Sequence, residues 1–418
     1  MKTIITGAFL GLLLFSASAM AEGDDIVALT SGGGTNISWR ITSAGELIIS
    51  YSGKGKGKIQ EYDKNVLPEG QLGPDGNQYG TGSTAPWYEY ADKIKSITIS
   101  DNISEIGKRA FRGLSSAVSA TIPDSVTKIN DSAFGYATSL TSVTLSDNLT
   151  SIGQWAFENT ALTNITIPDS VTSVGSKAFQ NCGDVTNVTI GNGITSIKES
   201  AFANETSLKN ITISDSVTEI GKNAFNGATN LTDVTIGQNV KTIKEAAFKD
   251  ASSLVSITIP DSVTTLEKHA FQGAINLTDL TIGASVVSFG LGCFDGTPIN
   301  TLTIDVNGSA ENYQAIANYF YERRTDYQIT TVNCLGGEMS ECITKMAPYW
   351  DISAIAGSSI DRNSQNNASH SSDLATSDDT NATKNENLIM RKDKRIYTVE
   401  EANAVSKPNG NKFMIRYK

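Results

Sequence analysis

Acid–base, nucleophilic or metal chemistry needs histidines, cysteines or carboxylates that converge, and this 418-residue chain offers few. Its two histidines are His269 and His370, and neither has a nucleophile or carboxylate beside it in a recognisable local arrangement. Of the four cysteines, Cys334 and Cys342 lie eight residues apart around Gly336-Gly337. In an exported chain that spacing suits a disulfide. Cys182 and Cys293 are too far apart to bridge and read as small buried hydrophobes. No spacing suits a metal cluster. Gly53 to Lys58 alternates Gly and Lys without the spacing or the following helix of a phosphate-cradling loop. The sequence therefore points to no catalytic residue, no metal and no cofactor. A formal net charge of -11 argues against nucleic acid as a partner, because phosphate contacts need a basic surface.

The constellation that does stand out is polar and regular. A threonine recurs at Thr98, Thr121, Thr144, Thr166, Thr189, Thr212, Thr235, Thr258, Thr281 and Thr303. Two residues before each comes a second column: Ser96, Ser119, Ser142, Asn164, Asn187, Asn210, Asp233, Ser256, Asp279 and Thr301. Side chains alternate along a strand, so both columns face one way and form a hydroxyl and amide lattice with a ~4.8 Å repeat. Threonine suits an exposed strand and stacks on itself, which is one sufficient reading. A ligand-facing sheet centred on Thr121 to Thr258 with Asn164, Asn187 and Asn210 is another, and an ice-binding lattice a third. The same pattern generates the many Asn-x-Thr sequences, so glycosylation need not be invoked for them. A further column, Asp101, Asp124, Asp147, Asp169, Asn192, Asp215, Gln238, Asp261 and Ala284, reads as Asx-turns to nearby amides or as carboxylates sharing a cation.

The elements that hold these columns repeat with the same phase. An Ala-Phe pair places Phe111, Phe134, Phe157, Phe179, Phe202, Phe225, Phe248 and Phe271, with Cys293 before a ninth, Phe294. The spacing is 23 residues, apart from one step of 22 between Phe157 and Phe179. Such a period signals a solenoid. Twelve and fourteen residues before each Phe lie apolar, mostly β-branched residues such as Ile165 and Ile167, which make a strand with one buried face. Pairs such as Val217 and Ile220 mark a second short extended segment, and the Ala-Phe then starts a tight turn or one helical turn. One unit cannot bury its own apolar face, whereas stacked units can.

These residues carry a resemblance. The pattern Leu-x-x-Ile-Thr-Ile-Pro-Asp-Ser-Val-Thr-x-Ile-Gly-x-x-Ala-Phe, nearly spelled out at 208–225 and 254–271, resembles the leucine-rich repeats of BspA-like surface proteins, also found in treponemes and trichomonads. It covers about half of the chain, from about 94 to 305. The resemblance implies a mainly β fold: a right-handed leucine-rich-repeat solenoid of about nine 23-residue coils. It also implies adhesion to host matrix proteins and other cells, without a conserved chemistry to define the ligand.

The ends complete the expected organisation. Residues 1–21 carry Lys2, an apolar run from Ile4 to Phe15 and small residues at Ala19 and Ala21, the features of a cleavable signal peptide. No later stretch approaches the ~20 apolar residues of a spanning helix. Residues 22–92 form an N-terminal β-rich cap, with a hairpin of Ile37–Ile41 and Leu47–Ser50; Trp39 and Trp87 read as capping residues or as a carbohydrate-binding module. The solenoid spans 93–305. Residues 306–355 form a small C-terminal α/β cap, with a helix over Ala310–Arg324 and a strand over Tyr327–Val332. A flexible linker over 356–390 leads to a basic tail, 391–418, of β-α-β character, either a docking and sorting element or a solvated tail. Capped edges leave a monomer as the default. The chain thus reads as an exported, non-enzymatic protein at the cell surface or outside it, or in a periplasm. It binds extracellular proteins or other cell-surface macromolecules through the strand face; alternatively it is a passive spacer whose tail does the specific docking.

Overall fold

Alternating β-branched residues with a 23-residue period build a stack of coils, each contributing one strand to a common face. The computed structural model describes residues 36–66, 79–322, 326–350 and 352, with short strands at Ile5–Thr6, Ile26–Leu29, Leu388–Met390 and Ile396–Thr398. Apart from those strands, the signal segment, the linker and the basic tail lie outside the described residues. Leu388–Met390, inside the expected linker, pairs antiparallel with Ile396–Thr398.

The face strands run parallel and in register, as in Asn164↔Asn187, Ile165↔Val188, Thr166↔Thr189 and Ile167↔Ile190. The second segments form their own parallel ladders, Ile197 beside Ile220, Ile243 and Leu266 in successive coils. The face is not continuous. Its ladder breaks between Ser142–Thr144 and Asn164–Ile167, and again between Asp233–Thr235 and Ser256–Ile259. Val143, Leu145 and Val234 at these breaks are only partly buried. The first break falls in the coil with the 22-residue step. There the loop from Phe157 to Leu162 is one residue short, and Thr160 ties it off by donating its hydroxyl to the Phe157 carbonyl at 2.9 Å. The other short loop, Phe294 to Ile299, has the same device, with Thr297 donating to the Phe294 carbonyl at 2.7 Å.

The core is a column of rings. Phe111 to Phe294 are fully buried, with neighbouring centroids 5.1 to 5.5 Å apart. Burial of each ring contributes roughly 1.5–3 kcal/mol. The Ala-Phe segment is neither a simple tight turn nor a helical turn. Residues two before and two after each Phe take positive φ, as at Lys177 (60°) and Asn181 (62°) around Phe179. This turns alternate amides the same way along the axis: Lys177, Phe179 and Asn181 donate to the carbonyls of Glu199, Ala201 and Ala203 in the next coil.

A stack of this polarity leaves carbonyls open at its first turn and amides open at its last, and an unmade buried bond is costly. The flanks supply what each end lacks. Trp87 donates its indole N–H to the Ala110 carbonyl at 2.7 Å, and the Tyr62 amide donates to Lys108 at 2.9 Å. At the other end the Tyr319 hydroxyl accepts the Phe294 amide at 3.0 Å. The ring column also continues into both flanks, Trp87 on Phe111 at 5.7 Å and Phe320 on Phe294 at 6.1 Å. Ile37–Ile41 and Glu46–Tyr51 form the antiparallel hairpin, and Glu46–Tyr51 then joins Ser96–Ile99 in parallel. Trp39 and Trp87 are buried with centroids 6.2 Å apart, so they offer no ring face to a sugar and the carbohydrate-module reading of this pair is corrected.

At the C-terminal side helix α1, Ala310–Glu322, buries Tyr313, Ile316 and Phe320. The strand expected at 327–332 lies instead at Thr331–Leu335, in parallel register with Thr301–Asp305. That register sends Val332 and Cys334 inward beside Leu302 and Ile304, while Tyr327 packs its ring against Phe320. Helix α2, Met339–Met346, follows and was not legible in the sequence. It brings the Cys342 sulfur into bonding contact with Cys334, the Cα atoms 6.2 Å apart. No helix among the described residues is long and apolar enough to cross a membrane.

Candidate functional site

The strand face is built by alternation. In Asn187–Ile190, Val188 and Ile190 point into the core while Asn187 and Thr189 point out. Thr121, Thr144, Thr166, Thr189, Thr212, Thr235 and Thr258 are all exposed, as are Asn164, Asn187 and Asn210. The members at the ends of the column are partly covered: Thr98 donates to Glu46 Oε1 at 2.6 Å, and Thr281 and Thr303 lie beside the C-terminal flank. The breaks divide the central column, leaving Thr166, Thr189, Thr212 and Thr235 on one unbroken four-strand ladder. On it Asn187 donates from Nδ2 to Asn164 Oδ1 at 3.0 Å, fixing both amides. A shallow concavity lies here, lined by Asn187, Thr189, Asn210, Thr212, Asp215 and Gln238 among others.

The aspartate column behaves differently from an Asx-turn. Asp169 accepts from the Asn192 amide at 2.7 Å, Asp215 from Gln238 at 2.6 Å and Asp261 from Ala284 at 2.9 Å. Each carboxylate reaches the equivalent position one coil on, not its own turn. The coil that donates carries Gly before that amide, because a Cβ at Gly237 would stand 2.4 Å from the Ser214 carbonyl oxygen. In these coils carboxylates alternate with neutral residues, whereas Asp101, Asp124, Asp147 and Asp169 stand in four successive coils. Among the described residues no group of three or more His, Cys, Asp or Glu could hold a metal ion.

The BspA type leucine-rich-repeat model matches residues 87–209 and 195–326 in 6 copies, more than half of the 418 residues. The chain belongs to the BspA-type leucine-rich-repeat family. It is similar to a leucine-rich repeat protein from Bacteroides ovatus (20% identity, 77% of this chain and 100% of that one, TM-score 0.31). It is also similar to the pneumococcal vaccine antigen PcpA (18%, 75% and 88%, TM-score 0.34) and to a T. pallidum leucine-rich repeat protein (20%, 53% and 88%, TM-score 0.31). No curated protein matches the chain.

Two features of this BspA-type chain escaped the sequence reading. Three residues after each Phe lies an interior column, Ala in four coils (Ala137, Ala228, Ala251 and Ala274) but Thr160, Cys182 and Glu205 in three successive ones, all buried. The Cys182 amide donates to Glu205 Oε1 at 2.9 Å, and Cys182 Sγ lies 3.2 Å from the Phe157 carbonyl. Glu205 Oε2 is buried without a partner. Desolvation, opposed in part by the Cys182 amide, pushes the Glu205 carboxyl up to about 8. Burial likewise pushes the Cys182 thiol up, so it is held as an unreactive thiol. A break in an alanine column was the available signal. The second feature is Trp155, the one tryptophan of the four that is not buried. His269 sits half-buried in a left-handed turn position (φ 59°), and His370 lies outside the described residues.

Proposed function

We propose that this protein is an exported, adhesin-like binding protein that grips extracellular proteins or other cell-surface macromolecules through its strand face, working as a monomer at the cell surface or beyond it. The observation that carries this is the exposed, in-register array of Thr166, Thr189, Thr212 and Thr235 with the amides of Asn164, Asn187 and Asn210. These groups are preorganised by the coil stack, so a partner contacting them meets little ordering cost. Their hydroxyls and amides are spare hydrogen-bonding capacity on a polar surface that carries Asp233 alone among the two columns of this ladder, the composition of an adaptable polar contact. Membership in the BspA-type family agrees with a binding scaffold.

The test is binding of residues 22–418 to immobilised extracellular-matrix proteins and whole cells, beside a variant with Thr166, Thr189 and Thr212 changed to Lys. Saturable binding that disappears in the folded variant supports the reading. Binding indifferent to the three lysines, or none at all, overturns it.

A further inference from the structure

The turn edge of the solenoid carries residues that the coil does not require. Two columns flank each Phe at positive φ, a conformation that bulky L side chains rarely adopt. The column after the Phe reads Gly113, Tyr136, Asn159, Asn181, Asn204, Gly227, Asp250, Gly273 and Gly296. Gly and Asx residues are what such positions favour. Tyr136 (φ 61°) departs from that rule; the column before the Phe is more mixed, with Arg109, Lys177 and His269 beside Trp155 (φ 54°). Tyr136 and Trp155 are partly exposed. The two lie on adjacent coils: a Cβ added to Gly135, the residue before Tyr136, would stand 3.1 Å from the Trp155 backbone carbonyl oxygen. Tyr136 is held in place by the buried Arg112 guanidinium, 4.4 Å from its ring centroid.

Beyond the rings the amides are fixed as well. Asn181 donates from Nδ2 to Asn159 Oδ1 at 3.2 Å, and Asn204 donates to Asn181 Oδ1 at 2.7 Å. Each planar amide in such a ladder uses one N–H and one lone pair on its neighbours and keeps another N–H and lone pair for a ligand. Four adjacent coils therefore present Tyr136, then Trp155 with Asn159, then Asn181, then Asn204.

We propose that this edge, from Tyr136 and Trp155 to Asn204, is a second binding site, for a neutral linear oligosaccharide laid along the solenoid axis. The C–H face of a pyranose packs on an aromatic ring, and a planar amide can pair with two neighbouring hydroxyls. A β-linked pyranose chain advances by a step comparable to one coil, so successive sugars meet successive amides. The acidic chain disfavours a polyanion.

The experiment uses residues 22–418 and four hexaoses: β-1,4-linked glucose, N-acetylglucosamine, mannose and xylose. Acrylamide quenching of tryptophan fluorescence reads Trp155 selectively, since Trp39, Trp87 and Trp350 are buried. At least one hexaose should shield the quenchable fraction saturably. Isothermal titration of the same sugar should show at least a tenfold loss of affinity in Trp155→Asn and in Asn181→Gly. Both replacements suit positive φ, so circular dichroism should confirm that each folds. The Thr166, Thr189 and Thr212 lysine variant should keep sugar binding, which separates this site from the strand face. Shielding by none of the four sugars overturns the proposal. So does binding that survives both turn-edge replacements, and so does a matrix protein lost from Trp155→Asn when no sugar binds, because the edge is then a protein contact.

Discussion

Glu205 makes the stability of the solenoid depend on pH in a calculable way. Its carboxyl lies in a column where four other coils carry alanine, one oxygen held by the Cys182 amide and the other unpartnered. An acid raised from 4.5 to about 8 by burial leaves folding unpenalised below 4.5, and the stability is lost progressively as pH rises through 8. Each pH unit between those values costs about 1.4 kcal/mol, so the penalty is about 1 kcal/mol at pH 5 and about 3 kcal/mol at pH 7. Glu205→Gln keeps an acceptor for the Cys182 amide and removes the titration. Urea denaturation followed by circular dichroism, in wild type and variant at pH 5, 6, 7 and 8, isolates the contribution as a difference between two curves. The gap between them should widen in the variant's favour by about 2–3 kcal/mol from pH 5 to pH 7. Amide exchange should localise the change to the coils around Cys182 and Glu205, because a repeat array opens locally. Parallel curves would refute the reasoning, since they would mean that the carboxyl is solvated or paired in the folded chain.

Three further outcomes test the rest of the architecture. Trp87→Phe keeps the ring stacked on Phe111 but removes the donor to the Ala110 carbonyl; it should cost about 1–3 kcal/mol in denaturation and speed amide exchange in the first coils only. Gly237→Ala drives a Cβ to within 2.4 Å of the Ser214 carbonyl oxygen and should cost about 1–3 kcal/mol, with the Gln238 amide losing protection; an unchanged midpoint would remove the close-approach reading. In protein recovered from the medium or cell envelope, alkylation under native conditions should label no cysteine. After denaturation it should label Cys182 and Cys293 alone, and labelling of Cys334 or Cys342 would show that their sulfurs are not joined.

The solenoid was legible because its signal is redundant: nine phenylalanines and the paired β-branched residues before them repeat the same burial instruction, and no single substitution obscures it. The outward columns followed from alternation alone, which is why Thr166, Asn187 and their neighbours stand where the spacing put them. What was not legible depends on contacts between coils rather than within one. The Asp169 carboxylate looked like a local turn former because sequence shows its own turn, whereas its partner, the Asn192 amide, is a coil away. The ladder breaks beside Val143 and Val234 leave no mark on the hydrophobic pattern. Trp87 and Phe320 continue the ring column from outside the repeat, at spacings no period search would connect. Tyr136 was not legible as an exception because the positive φ that its column shares is a property of the stacked turn.

The inter-coil bonds also restrict how such a chain can lengthen. Across 168–284 the turns alternate between a coil whose carboxylate accepts (Pro168-Asp169, Ser214-Asp215, Pro260-Asp261) and a glycine coil whose amide donates (Gly191-Asn192, Gly237-Gln238, Gly283-Ala284). Inserting one coil would set two carboxylate turns or two glycine turns side by side. The first places like charges about 5 Å apart, and the second leaves a close approach with no acceptor for its amide. Inserting two coils preserves every pair. The ring column and the strand register tolerate either change, so within 168–284 the alternation sets the larger unit, while the earlier coils with Asp101, Asp124, Asp147 and Asp169 do not follow it. The two ends are likewise not interchangeable: the first turn needs the donor that Trp87 supplies, and the last needs the acceptor that Tyr319 supplies. A shortened chain should therefore fold best when a pair of coils is removed between intact flanks, and worst when either flank is replaced by a copy of the other.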